Sequence, residues 1–530
     1  MNWKPLLSRR MTTAAAQALI ALGILISLSS YVLAQERGWS EPMLLSVADS
    51  WSWFPDIAVD LGGRIHVVYD GNRRVSQDVS EDGSVPAVMY TVSQGGEWGE
   101  PNDLHLGGRG NIFRSAIAVD RFGNLHMVCK RGGAGSELDY RQASVETAYS
   151  AQGWNRHVLD KGVIYMSDVA VDSDNVIHVV YEKWVPFEEP FITEGGREIS
   201  QLSDIFCRRS VDGGRTWSIP VNLSQTPRVG DYRVQLKVDA NDMIHVTWDE
   251  GFDRWALYGE PRVGIYINST DGGQTWSSPV QFYMPEHTNA QMAAASDNRG
   301  NVLAVWRSTS IDRVYYAWST DGGLSWSEAQ PIPAFYTRSY NETMFDAYDM
   351  MADSAGNIHL VAVGRSRLPV GRGEDVPLGV YHLVWDGERW LAPEPVYVYE
   401  AERGFPEYPK LVISAGNQLH VVWFVRDQQF GGAHTTYRIF YSYLEAEAPL
   451  QFPEPTPTLT PTPAPTVTST PLPTVTPWPT VNPTTSGMPS GVYTDIDDTL
   501  RLLASVLPIG VLLFLLAAVR LGWFRKLLSR

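Results

Sequence analysis

The chain has 530 residues, long enough for more than one ordinary domain, and its formal net charge of −17 argues against a nucleic-acid partner. It has only two cysteines, Cys129 and Cys207, which excludes a disulfide-stapled scaffold; we expect two buried thiols, although a bridge between them stays open. The sequence contains no metal-ligand spacing, serine nucleophile elbow or glycine-rich phosphate loop, so we expect no metal and no cofactor.

The first 34 residues have the layout of a secretory signal peptide. A basic pair, Arg9-Arg10, precedes an apolar run at 14–28, and a small-residue site follows at 32–34. This order predicts export of the chain, with cleavage after residue 34. An uncleaved signal anchor is the alternative.

Residues 35–450 are built from a repeat. Its first half is two apolar runs around a tight turn rich in Asp, Asn and Gly, typical of an antiparallel β-hairpin. Seven copies occur, at 56–69, 116–130, 168–181, 235–248, 292–306, 349–363 and 410–423. Its second half is a strand, a corner and a Trp that opens the next strand, at Trp39, Trp98, Trp154, Trp217, Trp276, Trp326 and Trp390. Four short strands per repeat predict an all-β fold, a seven-bladed β-propeller.

The two ends of the repeat region predict how the ring closes. Residues 39–46 resemble a fourth strand without a blade of its own, and the last repeat, 410–444, lacks a fourth strand. We expect the first segment to complete the last blade, which leaves no open sheet edge at the seam. An irregular pair of β-sandwiches is the alternative.

A histidine recurs at one position of the second strand in six of the seven repeats. These residues are His66, His126, His178, His245, His359 and His420. A metal or catalytic site needs side chains that converge on one point, whereas one histidine per blade is a symmetric feature. We therefore expect these histidines to be packing residues with hydrogen bonds inside each sheet.

Three corners between the third and fourth strands share the pattern Ser-x-Asp-x-Gly-x-x-Trp. They are Ser210-Val-Asp212-Gly-Gly214-Arg-Thr-Trp217, Ser269-Thr-Asp271-Gly-Gly273-Gln-Thr-Trp276 and Ser319-Thr-Asp321-Gly-Gly323-Leu-Ser-Trp326. At such a corner the Asp can accept backbone N–H groups, the Gly permits positive φ, and the Trp buries a large ring. The pattern resembles the Asp-box, or BNR repeat, of sialidases and other Asp-box propellers, and the resemblance spans about 39–444.

The resemblance implies the propeller fold more firmly than one activity. Asp-boxes are also found in xyloglucanases, sortilin-type receptors and photosystem assembly factors, and sialidases have six blades where seven are counted here. Sialidases bind a substrate carboxylate with arginines at the start of inner strands. The candidates that this implies here are Arg114, in Phe113-Arg-Ser-Ala, and Arg233, after Tyr232.

The longer and more varied loops of the repeats, among them 182–203, are expected on one face of the ring, opposite the Asp-boxes. Binding residues concentrate on such loops over a rigid scaffold. The candidates for this ligand face are Trp51, Trp53, Tyr165, Trp184, Trp255, Tyr336, Tyr340, Arg365, Tyr408 and Arg426. Aromatic faces among hydrogen-bonding groups suit sugar rings, although packing of the loops would explain any single ring.

The C-terminal region predicts a stalk and an anchor. Residues 451–490 are rich in Pro and Thr and favour an extended spacer, followed by a juxtamembrane segment at 491–501. An uncharged span then begins at Leu502 and ends at Val519, and a basic tail occupies 520–530. This order predicts a single-pass helix in the lipid bilayer with the propeller on the extracellular side of the cell membrane. A buried globular helix is the alternative.

These features favour a cell-surface propeller that binds a glycan or another envelope component on its long-loop face. Two alternatives stay open from the sequence. One is a sialidase-like glycoside hydrolase, and the other is a protein-docking scaffold of a membrane complex.

Overall fold

The structure is a computed structural model in which the residues that can be described form a β-propeller. They are residues 38–47, 51–76, 83–107, 113–132, 136–251, 263–284, 289–338, 347–367, 376–400, 404–427 and 436–451. The described residues contain 29 strands in seven sheets. The first strands of successive sheets contact one another in an unbroken ring, so the sheets are blades around an axis. The predicted seven-bladed propeller is confirmed.

Each blade is an antiparallel sheet whose first strand lies at the axis. Blade 1 contains β2 (Trp53–Val59), β3 (Ile65–Arg74), β4 (Ser84–Gln94), β5 (Glu97–Trp98) and β6 (Asn102–Leu106). Blade 2 contains β7 (Ala116–Val119), β8 (Asn124–Arg131), β9 (Glu137–Ser144) and, after a 3-10 turn at Ala151–Gly153, β10 (Asn155–Lys161). Blade 3 contains β11 (Ile164–Val171), β12 (Ile177–Ile192), β13 (Glu198–Ser210) and β14 (Val221–Asn222).

The remaining blades follow the same plan. Blade 4 contains β15 (Gly230–Val238), β16 (Ile244–Gly251), β17 (Val263–Ser269) and β18 (Val280–Phe282). Blade 5 contains β19 (Asn289–Ser296), β20 (Val302–Ser308), β21 (Arg313–Ser319) and β22 (Gln330–Pro331). Blade 6 contains β23 (Asp349–Ala352), β24 (Ile358–Gly364), β25 (Gly379–Trp385) and β26 (Glu394–Val398). Blade 7 contains β27 (Phe405–Ser414), β28 (Gln418–Arg426), β29 (Tyr437–Glu445) and β1 (Met43–Leu44).

The N-terminal strand β1 completes blade 7, as the sequence predicted. Met43 and Leu44 pair antiparallel with Tyr441 and Phe440 of β29. Backbone hydrogen bonds extend this contact at both ends. Ser40 N–H donates to the Tyr443 carbonyl (2.9 Å), and Leu45 N–H donates to the Ile439 carbonyl (2.8 Å). The outer side of β29 is therefore paired, and the ring is closed by hydrogen bonds between the two ends of the propeller.

Neighbouring blades are joined by a repeated aromatic contact that begins at the recurring histidine. In blade 2, His126 Nδ1 lies 2.7 Å from the Tyr140 hydroxyl, and its Nε2 lies 3.3 Å from Asp120 at the first turn. The Tyr140 ring in turn packs edge-on against Trp217 of blade 3, with ring centroids 4.9 Å apart. His66, His245 and His420 contact a tyrosine hydroxyl in the same way, at 2.7–2.9 Å. The prediction that the recurring histidines are hydrogen-bonded packing residues is confirmed.

The Asp-box corners have the geometry expected from their residues. Asp212 Oδ1 accepts the backbone N–H of Thr216 (2.9 Å), and the Ser210 hydroxyl accepts that of Gly214 (2.8 Å). Gly214 has a φ of +85°, and a Cβ there would lie 2.3 Å from the Tyr140 hydroxyl, so only glycine fits against the previous blade. The same bonds recur around Asp271 and Asp321.

Other sequence predictions have different outcomes. Cys129 and Cys207 are buried free thiols, as expected. The loop expected at 182–203 is wrong, because β12 and β13 continue as a long hairpin over most of it. The predicted signal peptide and the segments from 452 onward, including the span from Leu502 to Val519, lie outside the described residues. Within the described ranges, no helix has the length and apolarity required to cross a membrane.

Candidate functional site

The start of the inner strand has the same unusual backbone in five blades. At this position a residue other than glycine adopts a positive φ of 48–60°, and in four of the five blades the pairing with the second strand is irregular beside it. The residues are Phe54, Arg114, Arg233, Gln291 and Tyr408. Such β-bulges redirect side chains, and left-handed residues that are not glycine concentrate at functional sites because the surrounding structure must hold them in place.

Carboxylates from the preceding blade hold three of these bulges. Asp70 at the end of β3 accepts the backbone N–H of Phe113 (2.9 Å) and of Arg114 (3.0 Å). Asp249 in β16 accepts those of Gln291 (2.7 Å) and Met292 (2.9 Å). Glu182 in β12 accepts the N–H of Arg233 in the same way. The bulges are therefore fixed by rigid strands of the neighbouring blade.

A cavity opens on the axis where these inner strands begin. It has about 900 Å³ of empty space, including its open mouth. Its walls combine aromatic, cationic and acidic side chains, which are Phe54, Tyr165, Tyr232, Tyr408, Arg114, Arg233, Lys410, Asp56, Asp168 and Glu182. Because they come from five blades, the chain must complete most of the ring before the site exists.

Arg114 is clamped in the cavity wall between two rings. Its guanidinium carbon lies 4.2 Å from the centroid of Phe54 and 3.9 Å from that of Tyr165, and its Nη2 also donates to the Tyr165 hydroxyl. Cation–π contacts with two rings hold the guanidinium in place, and its hydrogen-bond donors lie along its edge. Planar donors held in this way suit a carboxylate, a sulfate or sugar hydroxyls.

Arg233 enters the cavity from blade 4. Its Nε lies 3.7 Å from Asp249 Oδ2, and its side chain keeps 14% of its surface exposed. Burial raises the pKa of Asp249 to about 6, against the charge of Arg233 and the two backbone N–H bonds, which lower it. The guanidinium of Arg233 is therefore more accessible from the cavity than that of Arg114, which is 5% exposed.

A group of charged side chains lies on the axis below the arginines. Asp56, Asp168 and Asp349 occupy equivalent inner-strand positions, and each accepts a backbone N–H from the next blade at 2.7–2.9 Å. Two ammonium groups balance them: Lys237 Nζ lies 2.6 Å from Asp349 Oδ1, and Lys410 is buried among all three. We call these five residues the axial cluster.

The axial cluster shifts the titration of its members in opposite directions. Burial raises the pKa of Asp56 to about 6, and the charge of Lys410 only partly counters this. Burial also opposes the ionisation of Asp349, but Lys237 and Lys410 hold its pKa below the usual range. In the part of the chain that the structure describes, no group of three or more His, Cys, Asp or Glu is arranged to hold a metal ion.

The sequence candidates divide according to their place in the ring. Arg114, Arg233, Tyr165 and Tyr408 line the cavity together. The sequence analysis did not predict the axial cluster. The repeats contained a signal for it, since Asp56, Asp168 and Asp349 share one repeat position.

Other candidates lie outside the cavity wall. Arg426 is 2% exposed and bonds Glu407 through its Nε at 2.9 Å, and Trp184 is half-buried on β12. Tyr336 and Arg365 pair through their backbones (3.0 Å). Trp51 and Trp53 lie beside Tyr437 at the seam between blades 7 and 1. Trp255 and Tyr340 lie outside the described residues.

Comparison with known proteins agrees with the class that the corners define. Residues 172–421 match the BNR repeat-like domain family. The chain therefore carries a BNR repeat-like domain within its propeller. No curated protein sequence matches the chain.

Several solved structures are similar to the chain. An ulvan lyase of a new polysaccharide lyase family is 14% identical, with a TM-score of 0.51 over 77% of this chain and 97% of that chain. The BP39L lectin from Burkholderia pseudomallei is 12% identical, with a TM-score of 0.43 over 75% and 98%. The NanB sialidase from Streptococcus pneumoniae is 13% identical, with a TM-score of 0.39 over 77% and 70%. At these identities the likeness shows the fold alone.

Proposed function

We propose that the propeller binds an acidic carbohydrate in the cavity on its axis. The observation that supports this most directly is the clamped guanidinium of Arg114, with Arg233 in the same cavity. Two fixed cations can pair with a carboxylate or sulfate group, while nearby Asp and Ser side chains offer acceptors for hydroxyls. Aromatic rings with a few placed polar groups are typical of small-ligand sites. The ulvan lyase with this fold has been seen bound to -[GlcA(1-4)Rha3S]-.

The binding proposal is tested with the full chain in mild detergent on an array of acidic and neutral glycans. A hydrogen bond to a charged group contributes about 1.5–3 kcal/mol, so Arg114→Ala should weaken binding about 10- to 150-fold. Arg389→Ala is the matched control, because the side chain of Arg389 is 79% exposed at the corner between β25 and β26 and does not line the cavity. Equal affinity of Arg114→Ala and the control, with both folded, would contradict the proposal.

Glycoside cleavage is a second candidate, and the state of Asp56 favours it. A carboxyl whose pKa is raised to about 6 stays protonated up to a higher pH than an ordinary Asp, as a general acid must. Glycosidases combine such an acid with a second carboxylate, and Asp168 and Glu182 line the same cavity. A panel of fluorogenic glycosides, sialosides included, should then be hydrolysed with a rate that falls above pH 6. Unchanged turnover in Asp56→Asn would exclude this role.

The proposed location is the outer surface of a cell membrane. The support is the sequence alone: an apolar span from Leu502 to Val519, a basic tail behind it and a Pro/Thr-rich spacer at 451–490 in front. Protease added to intact cells should release the propeller and leave the tail protected. Release without protease, in the soluble fraction, would contradict the anchor.

A further inference from the structure

We propose that the cavity is one end of a longer groove, and that the ligand is a polysaccharide chain whose next units stack on aromatic rings at the seam between blades 7 and 1. This inference rests on carbohydrate binding in the cavity. It adds the substrate class, a chain of several sugars instead of a single terminal unit.

The first observation is a continuous row of rings from the cavity wall to the surface. Phe54 stacks under Arg114 inside the cavity and lies 5.2 Å from Trp53. Trp53 lies 5.0 Å from Tyr437, and Tyr437 lies 6.3 Å from Trp51. We call Trp51, Trp53 and Tyr437 the seam rings. Each ring is within contact range of the next, so the row links the cavity wall to the surface. Phe54 itself is 2% exposed, so the faces on which a sugar chain can stack are those of the seam rings.

The second observation is the exposure of these rings. Trp51 is 54% exposed, whereas Trp53 and Tyr437 are half-buried. The three rings together place aromatic surface in contact with water at the seam, where a ligand can stack on it.

The third observation is that the backbone holds the rings in place. Ser52 N–H donates to the Tyr437 carbonyl at 3.0 Å, and Trp51 forms an isolated parallel bridge with Tyr437. Phe54, two residues further on, has the positive φ of the inner-strand bulge. The seam rings are therefore presented by a pinned segment and by β29, and their stacking needs little ordering when a ligand binds.

The polar surroundings favour a sugar chain over a lipid surface. The carboxylate of Asp427 acts on Tyr437, and it is held by Thr436, the neighbour of Tyr437, through bonds of 2.6 and 2.8 Å. A carboxylate beside the rings would be poorly solvated by hydrocarbon. A sugar chain presents C–H faces for the rings and hydroxyls for the polar groups, so it satisfies both.

The test uses the full chain and a panel of immobilised acidic and neutral polysaccharides. Each polysaccharide that the chain retains is cut into fragments of graded length, and the affinity of each fragment is measured. For the intact chain we expect affinity to rise with length. In Trp51→Ala this rise should shrink about tenfold at the longest fragment, while affinity for the shortest fragment stays the same. Arg114→Ala should weaken all lengths by one common factor.

Tyr443→Ala is the matched control, because Tyr443 has the same 54% exposure on the outer strands of blade 7 but lies beside Tyr441 instead of the seam rings. Affinity that does not depend on length, or a length dependence that survives in both Trp51→Ala and Trp51→Gln, overturns the groove and leaves the cavity proposal standing. Retention of no polysaccharide overturns both.

Discussion

Replacing Lys410 with methionine should destabilise the propeller through the axial cluster. Lys410 is 8% exposed, and the side chains of Asp56, Asp168 and Asp349 all act on it. Methionine keeps most of the volume but leaves three carboxylates with only Lys237 as a counter-charge. Removing one partner of a buried ion pair costs about 3–5 kcal/mol, because the remaining charge stays desolvated. We expect a loss of that size in the free energy of unfolding at pH 8.

The loss should shrink at low pH. Burial already raises the pKa of Asp56 to about 6, and without Lys410 this pKa rises further. When folding raises the pKa of a carboxyl, the folded state binds more protons than the unfolded state. The free energy of unfolding therefore decreases as the pH rises towards that pKa. The variant should therefore lose less stability at pH 5 than at pH 8.

The assay is urea unfolding of the full chain in mild detergent, followed by tryptophan fluorescence at both pH values. Lys161→Met is the control, since the side chain of Lys161 is 77% exposed and its nearest carboxylate is 3.8 Å away. We expect the control to change stability by less than about 0.5 kcal/mol. The reasoning is refuted if Lys410→Met is as stable as the control, or if its loss is equal at pH 5 and pH 8.

Two further predictions concern the joints between blades. Gly214→Ala should destabilise more than Gly213→Ala: both positions have positive φ, but only at 214 does the new Cβ meet the Tyr140 hydroxyl, at 2.3 Å. Equal thermal shifts in the two variants would contradict the close contact. Burial lowers the pKa of His382 to about 4, so stability should fall as the pH drops from 6.5 towards 4. His382 contacts His359 at the position where other blades have a tyrosine bonded to the recurring histidine. His382→Tyr should therefore reduce the loss of stability in acid unfolding curves. An unchanged curve would contradict the assignment of this loss to His382.

The sequence predicted the ring because its signals are local and repeated. The turn residues and Asp-box corners specify hairpins over short spans, and seven copies indicated the number of blades. The closing strand at 39–46 was predictable because the last repeat was one strand short. The histidines could be assigned to packing because six equivalent residues cannot meet at one point.

The site was only partly predictable because it is assembled from distant blades. Arg114 and Arg233 could be proposed from a family pattern, but their convergence depends on the order of blades around the axis. The sequence could not show that Arg426 pairs with Glu407 instead of lining the cavity. An arginine at the end of a strand gives the same sequence pattern whether it forms a buried ion pair or faces a cavity. The hairpin of β12 and β13 was missed because its polar residues, Glu188 and Glu189 among them, read as a loop.

The closure of blade 7 also constrains how the chain folds. Residues that pair across this seam are 402 positions apart, as in the contact between Ser40 and Ser442. Joining ends at roughly that separation costs about 5 kcal/mol of chain entropy, which two paired residues of β1 cannot offset alone. β1 therefore stays unpaired until the last repeat has folded, and until then the outer side of β29 is an unpaired strand edge. A circular permutant that moves residues 38–47 behind β29 would make this final step local, and we expect it to refold faster than the natural order.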